Sequence, residues 1–317
     1  VKVTEHLRKS KKTLFSFEIL PPLKGKGINA IFESIDPLLD FSPPFINVTY
    51  HREEYVYRKH PGGLLKKVSI RKRPGTVGIC AAIMNKYKVD AVPHLICGGF
   101  SVEETENALI DLHFLGIDNV LALRGDPIKT ESTFVPEENG HKHAVDLVRQ
   151  IQRMNNGQYL YEDIENQQCT NFCVGTAGYP EKHYESMNLK TDLKYLKDKV
   201  DAGAEYITTQ MFFDNRKFFD FVDRCREMGI TVPIIPGLKP ITNLKHIAFL
   251  PKTFHIDFPD DLADALTRCK SDDEVREVGV EWCTAQSKEL IAAGVPCLHY
   301  YTMGRSESVK RVAAAVF

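Results

Sequence analysis

Glu18 sits inside "FSFEILPP" (residues 15–22), a run of strand-forming residues that stops at Pro21-Pro22. Burying an unpaired carboxylate is costly, so Glu18 emerges at a strand end, is used by a site, or is a hydrogen-bonded structural acid. Polar groups close later apolar runs in the same way. Thr49-Tyr50-His51 ends one, and His94 lies within another. Arg124-Gly125-Asp126 ends a third, and Tyr179-Pro180-Glu181 with His183 a fourth. Gln210 precedes Phe212-Phe213-Asp214, while Tyr300-Tyr301 and Arg305 end the last. Each has a bland reading: Arg124 and Asp126 as a salt bridge around Gly125, His94 as a core histidine, Gln210 as a backbone partner, Lys197 and Lys199 as a solvated helix face. Their gathering at the ends of seven of eight runs is harder to explain that way.

Those runs are 13–19, 45–50, 91–97, 119–124, 172–179, 205–213, 232–237 and 297–302. They are short, apolar and without strict alternation, as strands covered on both faces are. Amphipathic helical patterns lie between them at 101–115, 190–202, 216–228 and 272–293, with a shorter one at 143–154. Ser101 and Glu104 form the pattern of a capping box. The stretch 74–88 opens like a strand, but Pro74 and its length favour a helix. Eight strands alternating with helices predict an α/β fold, a (β/α)8 TIM barrel in a single domain over 1–317, with a long loop or insert at 127–171. An open doubly wound sheet is the competing architecture, but no G-x-G-x-x-G follows any strand. In a barrel the carboxyl ends of the strands carry the site, and the polar groups above fall there.

The 317 residues carry 41 basic and 42 acidic side chains, a balance that argues against a general nucleic-acid or membrane-surface binder. No apolar run is long enough for a membrane helix, and the N-terminal stretch lacks the pattern of a secretory signal. Eight scattered cysteines read as reduced thiols, which with the missing signal predicts a cytoplasmic protein. Cys169 and Cys173, the close pair, match no common zinc spacing, so no metal is expected. A homo-oligomer is expected, as barrel enzymes often associate.

The ordered set "FSFEILPP", "INVTY", "PHLIC", "NVLALRGD", "GYPEKH", "DLKYLKDKVDAGAEYITTQMFFD", "IIPGLKPI" and "YYTMGR" resembles the consecutive motifs of the methylenetetrahydrofolate reductase family over residues 14–306. "LRGD" alone would mean little; eight motifs in order are specific. The length resembles the family's short, catalytic-domain-only form. The resemblance implies a flavin enzyme: FAD along the barrel top takes hydride from NADH or NADPH, then passes it to 5,10-methylenetetrahydrofolate in a ping-pong sequence, giving 5-methyltetrahydrofolate. That chemistry belongs to one-carbon metabolism and methionine biosynthesis. Two other readings stay open, a non-flavin folate- or pterin-binding barrel of methyltransferase type and a catalytically silent barrel subunit.

By matching position, Glu18 resembles the family's general acid, and Asp126 the Asp of "LRGD" that stabilises a cationic iminium and modulates the flavin. Phe15 and Phe17 are expected to flank Glu18 and raise its pKa by desolvation. Gln210 would bond the pterin, with Tyr301 also in the substrate pocket, and Arg305 would face the glutamyl carboxylate. For FAD the resemblance implies Thr49, His94, Arg124, Gly125 and Asp126, then Tyr179, His183, Asp192 and Lys199. His143 and Ala144, in "HKHAVDLV", match an aromatic–Ala pair. Three positions depart from the pattern: Leu244 where an aromatic is common, and Tyr195 and Asp198 where relatives carry Asn and a basic residue.

Overall fold

The structure, a computed structural model, describes residues 1–128, 131–160, 164 and 167–317. Parts of the expected insert at 127–171, namely 129–130, 161–163 and 165–166, lie outside the described residues. Ten strands follow in chain order: β1 (Leu14–Ile19), β2 (Phe45–Val48), β3 (Glu54–Lys59), β4 (Leu65–Ile70) and β5 (Asp90–Ile96). The others are β6 (Asn119–Leu123), β7 (Cys173–Gly178), β8 (Tyr206–Met211), β9 (Ile234–Leu238) and β10 (Cys297–Tyr301). Eight of them close a barrel in the order β1-β2-β5-β6-β7-β8-β9-β10, and every barrel pairing is parallel. These are the eight expected runs, so the (β/α)8 barrel is the fold and the open sheet is not.

The helices are α1 (Val3–Lys9), α2 (Asn29–Ile35), α3 (Thr76–Tyr87), α4 (Val102–Phe114), α5 (Ala144–Asn155) and α6 (Leu189–Asp201). They continue as α7 (Asn215–Glu227), α8 (Leu244–Phe254), α9 (Asp260–Thr267), α10 (Asp272–Ala292) and α11 (Glu307–Val316). The ambiguous stretch at 74–88 is helix α3. The capping box of α4 is formed: Ser101 N–H donates to Glu104 Oε2 at 2.9 Å, and Glu104 N–H to Ser101 Oγ at 3.2 Å.

Each strand splits its residues by parity, because successive side chains leave a strand on opposite faces. In β1, Phe15, Phe17 and Ile19 join the large cluster between barrel and helices. Residues of opposite parity elsewhere, such as Phe45, Val92, Leu121, Tyr206 and Ile235, form a second cluster on the barrel axis. Helix α1 supplies Val3 and Leu7 to that cluster and closes the amino end of the barrel, where Val3 N–H donates to Asn119 Oδ1 at 2.8 Å. The hairpin β3–β4 lies outside the barrel in the connection between β2 and α3. Its strands are largely exposed, so no burial pattern marked it in the sequence.

Gly279 lets α10 approach the β9–α8 connection: a Cβ there would overlap the Ile241 backbone. Gly78 in α3 is exposed, and a Cβ there would meet nothing within 4 Å. Gly279→Ala should therefore lower stability by about 1–3 kcal/mol, and Gly78→Ala should raise it by up to about 1 kcal/mol. Urea unfolding of the two variants checks both signs; equal effects would contradict the close approach at Gly279.

Candidate active site

Glu18 has the inward parity of β1, level with Tyr301 of β10 and Asn47 of β2. Its side chain is 18% exposed. Thr49 Oγ1 lies 2.8 Å from Glu18 Oε1, and His94 Nε2 lies 3.4 Å from Glu18 Oε2. Burial raises the Glu18 pKa to about 7, and the Thr49 hydroxyl opposes the rise. Burial also pushes His94 down to about 3, so at neutral pH it is an uncharged imidazole and its contact with Glu18 is no ion pair. The desolvation arises inside the barrel. Phe15 and Phe17, expected to flank Glu18, stand on the opposite face of β1 against the helices, because the side-chain period of a strand is two.

Around the same rim, Gly125 has a left-handed backbone (φ +85°) and its missing side chain leaves room above Ile96. Asp126 is exposed, close enough to His51 and Tyr179 for its charge to raise both pKa values, although burial and Arg73 hold His51 below its usual value. Gln210 Oε1 accepts from Met211 N–H at 2.9 Å, and its amide nitrogen has no protein partner among the described residues. Tyr301 donates to the Thr209 carbonyl at 2.6 Å. Arg305 is exposed on the β10–α11 connection.

Several expected cofactor residues already have protein partners. Arg124 makes a fork to Glu185, with Nη2 3.0 Å from Oε1, and stacks 5.0 Å from the Phe134 ring centre. Asp192 accepts from Ser186 Oγ at 2.8 Å and His183 N–H at 3.1 Å, which ties down the turn after β7. Tyr179 and His183 meet edge to face at 4.8 Å. His143 caps α5 and Ala144 begins it. Lys199 is not on a solvated face: its ammonium donates to the Ala177 carbonyl at 2.6 Å, and burial lowers its pKa to about 8. Lys197, by contrast, pairs with Asp201. Glu181 is held by Lys217 (3.1 Å) and by the Asp257 N–H (2.8 Å), a structural tie to the loop after α8.

The residues present fit FAD in part. Gly125 offers a backbone cradle, and the Lys199 ammonium, with no carboxylate hydrogen-bonded to it among the described residues, suits a pyrophosphate. Arg124 would have to share its guanidinium with Glu185. The departures Tyr195 and Asp198 are exposed on α6, and Leu244 is exposed at the start of α8, where its N–H donates to Asp272 Oδ1 at 2.9 Å.

Ser16, Asn47, His299, Phe134 and Glu185 were not singled out in the sequence. Ser16 Oγ lies 2.9 Å from His299 Nδ1, and Asn47 Nδ2 lies 3.3 Å from His94 Nε2, so a polar layer lies beneath Glu18. Its signal was present, as polar residues at the inward parity of three strands. Phe134 and Glu185 gave none, since loop contacts have no period. The long loop also reaches the rim through Arg52, which pairs with Glu131 and donates to the Val135 carbonyl at 3.4 Å. A cavity of about 1040 Å³ lies between the hairpin base and α3–α4, lined by Tyr50, Tyr55, Arg71 and Phe100; Glu18, Asp126 and Gln210 do not line it.

Folding favours protonated Glu18, because its pKa rises from 4.5 to about 7. Wild-type stability relative to Glu18→Gln should therefore fall as pH rises through that interval, by on the order of 1 kcal/mol per pH unit, and level off above it. Urea melts of both proteins at several pH values read this directly; a pH-independent difference would reject the raised pKa.

The chain matches the methylenetetrahydrofolate reductase family over residues 2–316. It is 35% identical to methylenetetrahydrofolate reductase 1 of Schizosaccharomyces pombe over 303 residues, covering 95% of this chain and 45% of the relative. It is 30% identical to the 5,10-methylenetetrahydrofolate reductase of Escherichia coli K12 over 295 residues, covering 92% and 86%. The chain thus spans less than half of the fungal relative and most of the bacterial one. A Clostridium thermocellum protein described as binding two copies of 5-methyl-5,6,7,8-tetrahydrofolic acid shares the fold, with TM-score 0.62, 15% identity, and coverage of 98% of this chain and 96% of that one. With a family match that runs from the first helix to the last and a barrel mouth that gathers the family's polar motifs, the chain belongs to the methylenetetrahydrofolate reductase family.

Proposed function

We propose that this chain is a flavin-dependent oxidoreductase, one catalytic barrel domain that reduces 5,10-methylenetetrahydrofolate to 5-methyltetrahydrofolate with NADH or NADPH. The observation that carries the reading is Glu18, a carboxyl inside the barrel mouth whose pKa of about 7 leaves a proton available at neutral pH. The methylene carbon accepts hydride only after its five-membered ring opens to an iminium cation, and opening needs a proton on the departing nitrogen. Glu18 supplies that proton, and the uncharged His94 beside it neither holds the carboxylate ionised nor competes as a cation. The exposed Asp126 carboxylate faces the developing cation from the rim. The free amide nitrogen of Gln210 suits the pterin edge, Tyr301 closes the pocket beside it, and Arg305 meets the glutamyl carboxylate.

FAD supplies the hydride relay between the nicotinamide nucleotide and folate when bound. This chain would hold it through the Gly125 backbone and Lys199, with Arg124, Thr49, Tyr179, His183, His143 and Ala144 along the same rim. His94, Asp126 and Asp192 complete that set, Asp192 also tying the turn after β7. The reading also makes the protein a cytoplasmic homo-oligomer; no described helix is long and apolar enough to cross a membrane.

Purified protein should absorb near ~450 nm as oxidised flavin does, and bleach on addition of NADH or NADPH. Glu18→Gln should keep both properties and lose folate reduction by about 10²–10⁴-fold. Asp126→Asn should keep FAD and slow folate reduction by roughly 10²-fold. A colourless protein that cannot be reconstituted with FAD rejects the flavin reading; normal folate turnover in Glu18→Gln rejects the acid.

A further inference from the structure

Helix α3 begins without a cap: Gly75 is its N-cap residue, and its first turn carries no acid. The N–H groups of Thr76, Val77 and Gly78 therefore leave the helix end with no protein acceptor among the described residues. The Arg71 guanidinium lies against the same end, because a Cβ on Gly75 would overlap its Nη2 atom. No carboxylate pairs with Arg71 among the described residues; Glu54, opposite Ile70 in the hairpin, pairs with Lys72 instead. The backbone beside Arg71 is fixed, since the Lys72 carbonyl accepts the Lys24 N–H at 2.8 Å and Arg73 donates to the Pro21 carbonyl. A cation at the positive end of a helix is unfavourable until an anion joins the two. Both features line the cavity of about 1040 Å³ between the hairpin base and α3–α4. Thr76 lines it too; the residue is 2% exposed, yet its hydroxyl has no hydrogen-bond partner among the described residues.

A bare anion would occupy only this end of a space on the scale of a small-molecule site. Tyr50 and Phe100 supply an aromatic wall, with ring centres 5.1 Å apart. Carboxylates complete the lining. Glu53 takes the Ser69 hydroxyl and Glu104 the Ser101 N–H, while Asp111, Glu137 and Glu138 have no protein donor among the described residues. A ligand that suits all three surfaces is anionic at one end, flat and aromatic in body, and carries hydroxyl or amino donors. We propose that this cavity binds a nucleoside phosphate. The phosphate sits on the α3 N-terminus, Thr76 and Arg71, the base lies against Tyr50 and Phe100, and sugar hydroxyls donate to Asp111, Glu137 or Glu138. Glu18, Asp126 and Gln210 line no part of the cavity, and neither do Arg124 and Lys199. The site is therefore separate from the candidate active site, and the inference stands without the folate reading.

The test titrates the full chain with ADP and, separately, with inorganic pyrophosphate, followed by calorimetry. The wild-type protein should bind ADP more tightly than pyrophosphate. Arg71→Met should weaken ADP about tenfold, since a charge-assisted contact to phosphate is lost. Phe100→Leu should weaken ADP by about fivefold or more and leave pyrophosphate unchanged. Gly78→Asp places a carboxylate in the first turn of α3, so it should raise the Tm while weakening both ligands about tenfold. A gain in Tm with a loss of ligand cannot come from failed folding. Absence of ADP binding, or an affinity indifferent to Arg71→Met and Gly78→Asp, overturns the proposal. Pyrophosphate binding as tight as ADP, or an unaltered ADP affinity in Phe100→Leu, overturns the nucleoside assignment. ADP binding lost in Lys199→Met but kept in Arg71→Met belongs to the cofactor rim and overturns the separate site.

Discussion

Closure of eight parallel strands into a barrel imposes one constraint from which the rest follows: each strand has an inside and an outside, and the two alternate residue by residue. In β1 this sends Phe15, Phe17 and Ile19 to the helices and Ser16 and Glu18 to the axis. A one-residue slip would put three large apolar groups into a space already filled by Tyr206, Phe45 and Ile235, and would send the carboxylate against α2 and α11. Register and chemistry are thus the same fact. The carboxyl is inside because the phenylalanines must be outside.

That constraint also grades the interior along the axis. The amino end is largely apolar and is covered by α1. The middle carries Ser16, Asn47, His94 and His299, whose polar atoms are partly satisfied by one another. Orphans remain at Asn47 Oδ1, His299 Nε2 and Tyr206 Oη, a pattern that suits buried water beneath the site. The carboxyl end is polar and lined by groups from different strands. Glu18 sits at the border between the two regimes, where desolvation is strong enough to raise its pKa and one hydroxyl tempers the rise. His94 responds to the same dry surroundings with the opposite shift, so the pair is set to a protonatable acid beside a neutral base.

Charge at the rim divides by side. On the β6–β7 side, Arg124 is neutralised by Glu185 and Lys199 is directed to a backbone carbonyl, so the protein has arranged its own interim partners there. After β9, the buried Lys239 has no acid of its own among the described residues. The first arrangement costs little when nothing is bound; the second leaves a buried charge uncompensated. This asymmetry is a property of the connections after the strands, and those connections differ in length far more than the strands do.

The eight strands were legible because apolar runs bounded by Gly, Pro and helix caps carry their own local signal, and Ser101 with Glu104 formed the cap their spacing promised. The outer hairpin β3–β4 was not, since it buries little and so leaves no apolar pattern. Among the candidate site residues, Glu18, Asp126, Gln210 and Arg305 could be named from their motifs, because each lies near the end of a strand or in the connection that follows it, and strand order maps onto rim order. Which face each residue takes, that Phe15 turns away from Glu18, that Asp192 holds a turn, that Glu185 claims Arg124 and that Lys239 is left without a counter-ion were decided by the tertiary structure alone. Those outcomes depend on distances between segments far apart in the chain, and burial converts those distances into energies and pKa shifts. The sequence by itself determined the barrel and the residue types at its mouth; only the closed barrel decided which of them share a proton, a counter-ion or an empty partner.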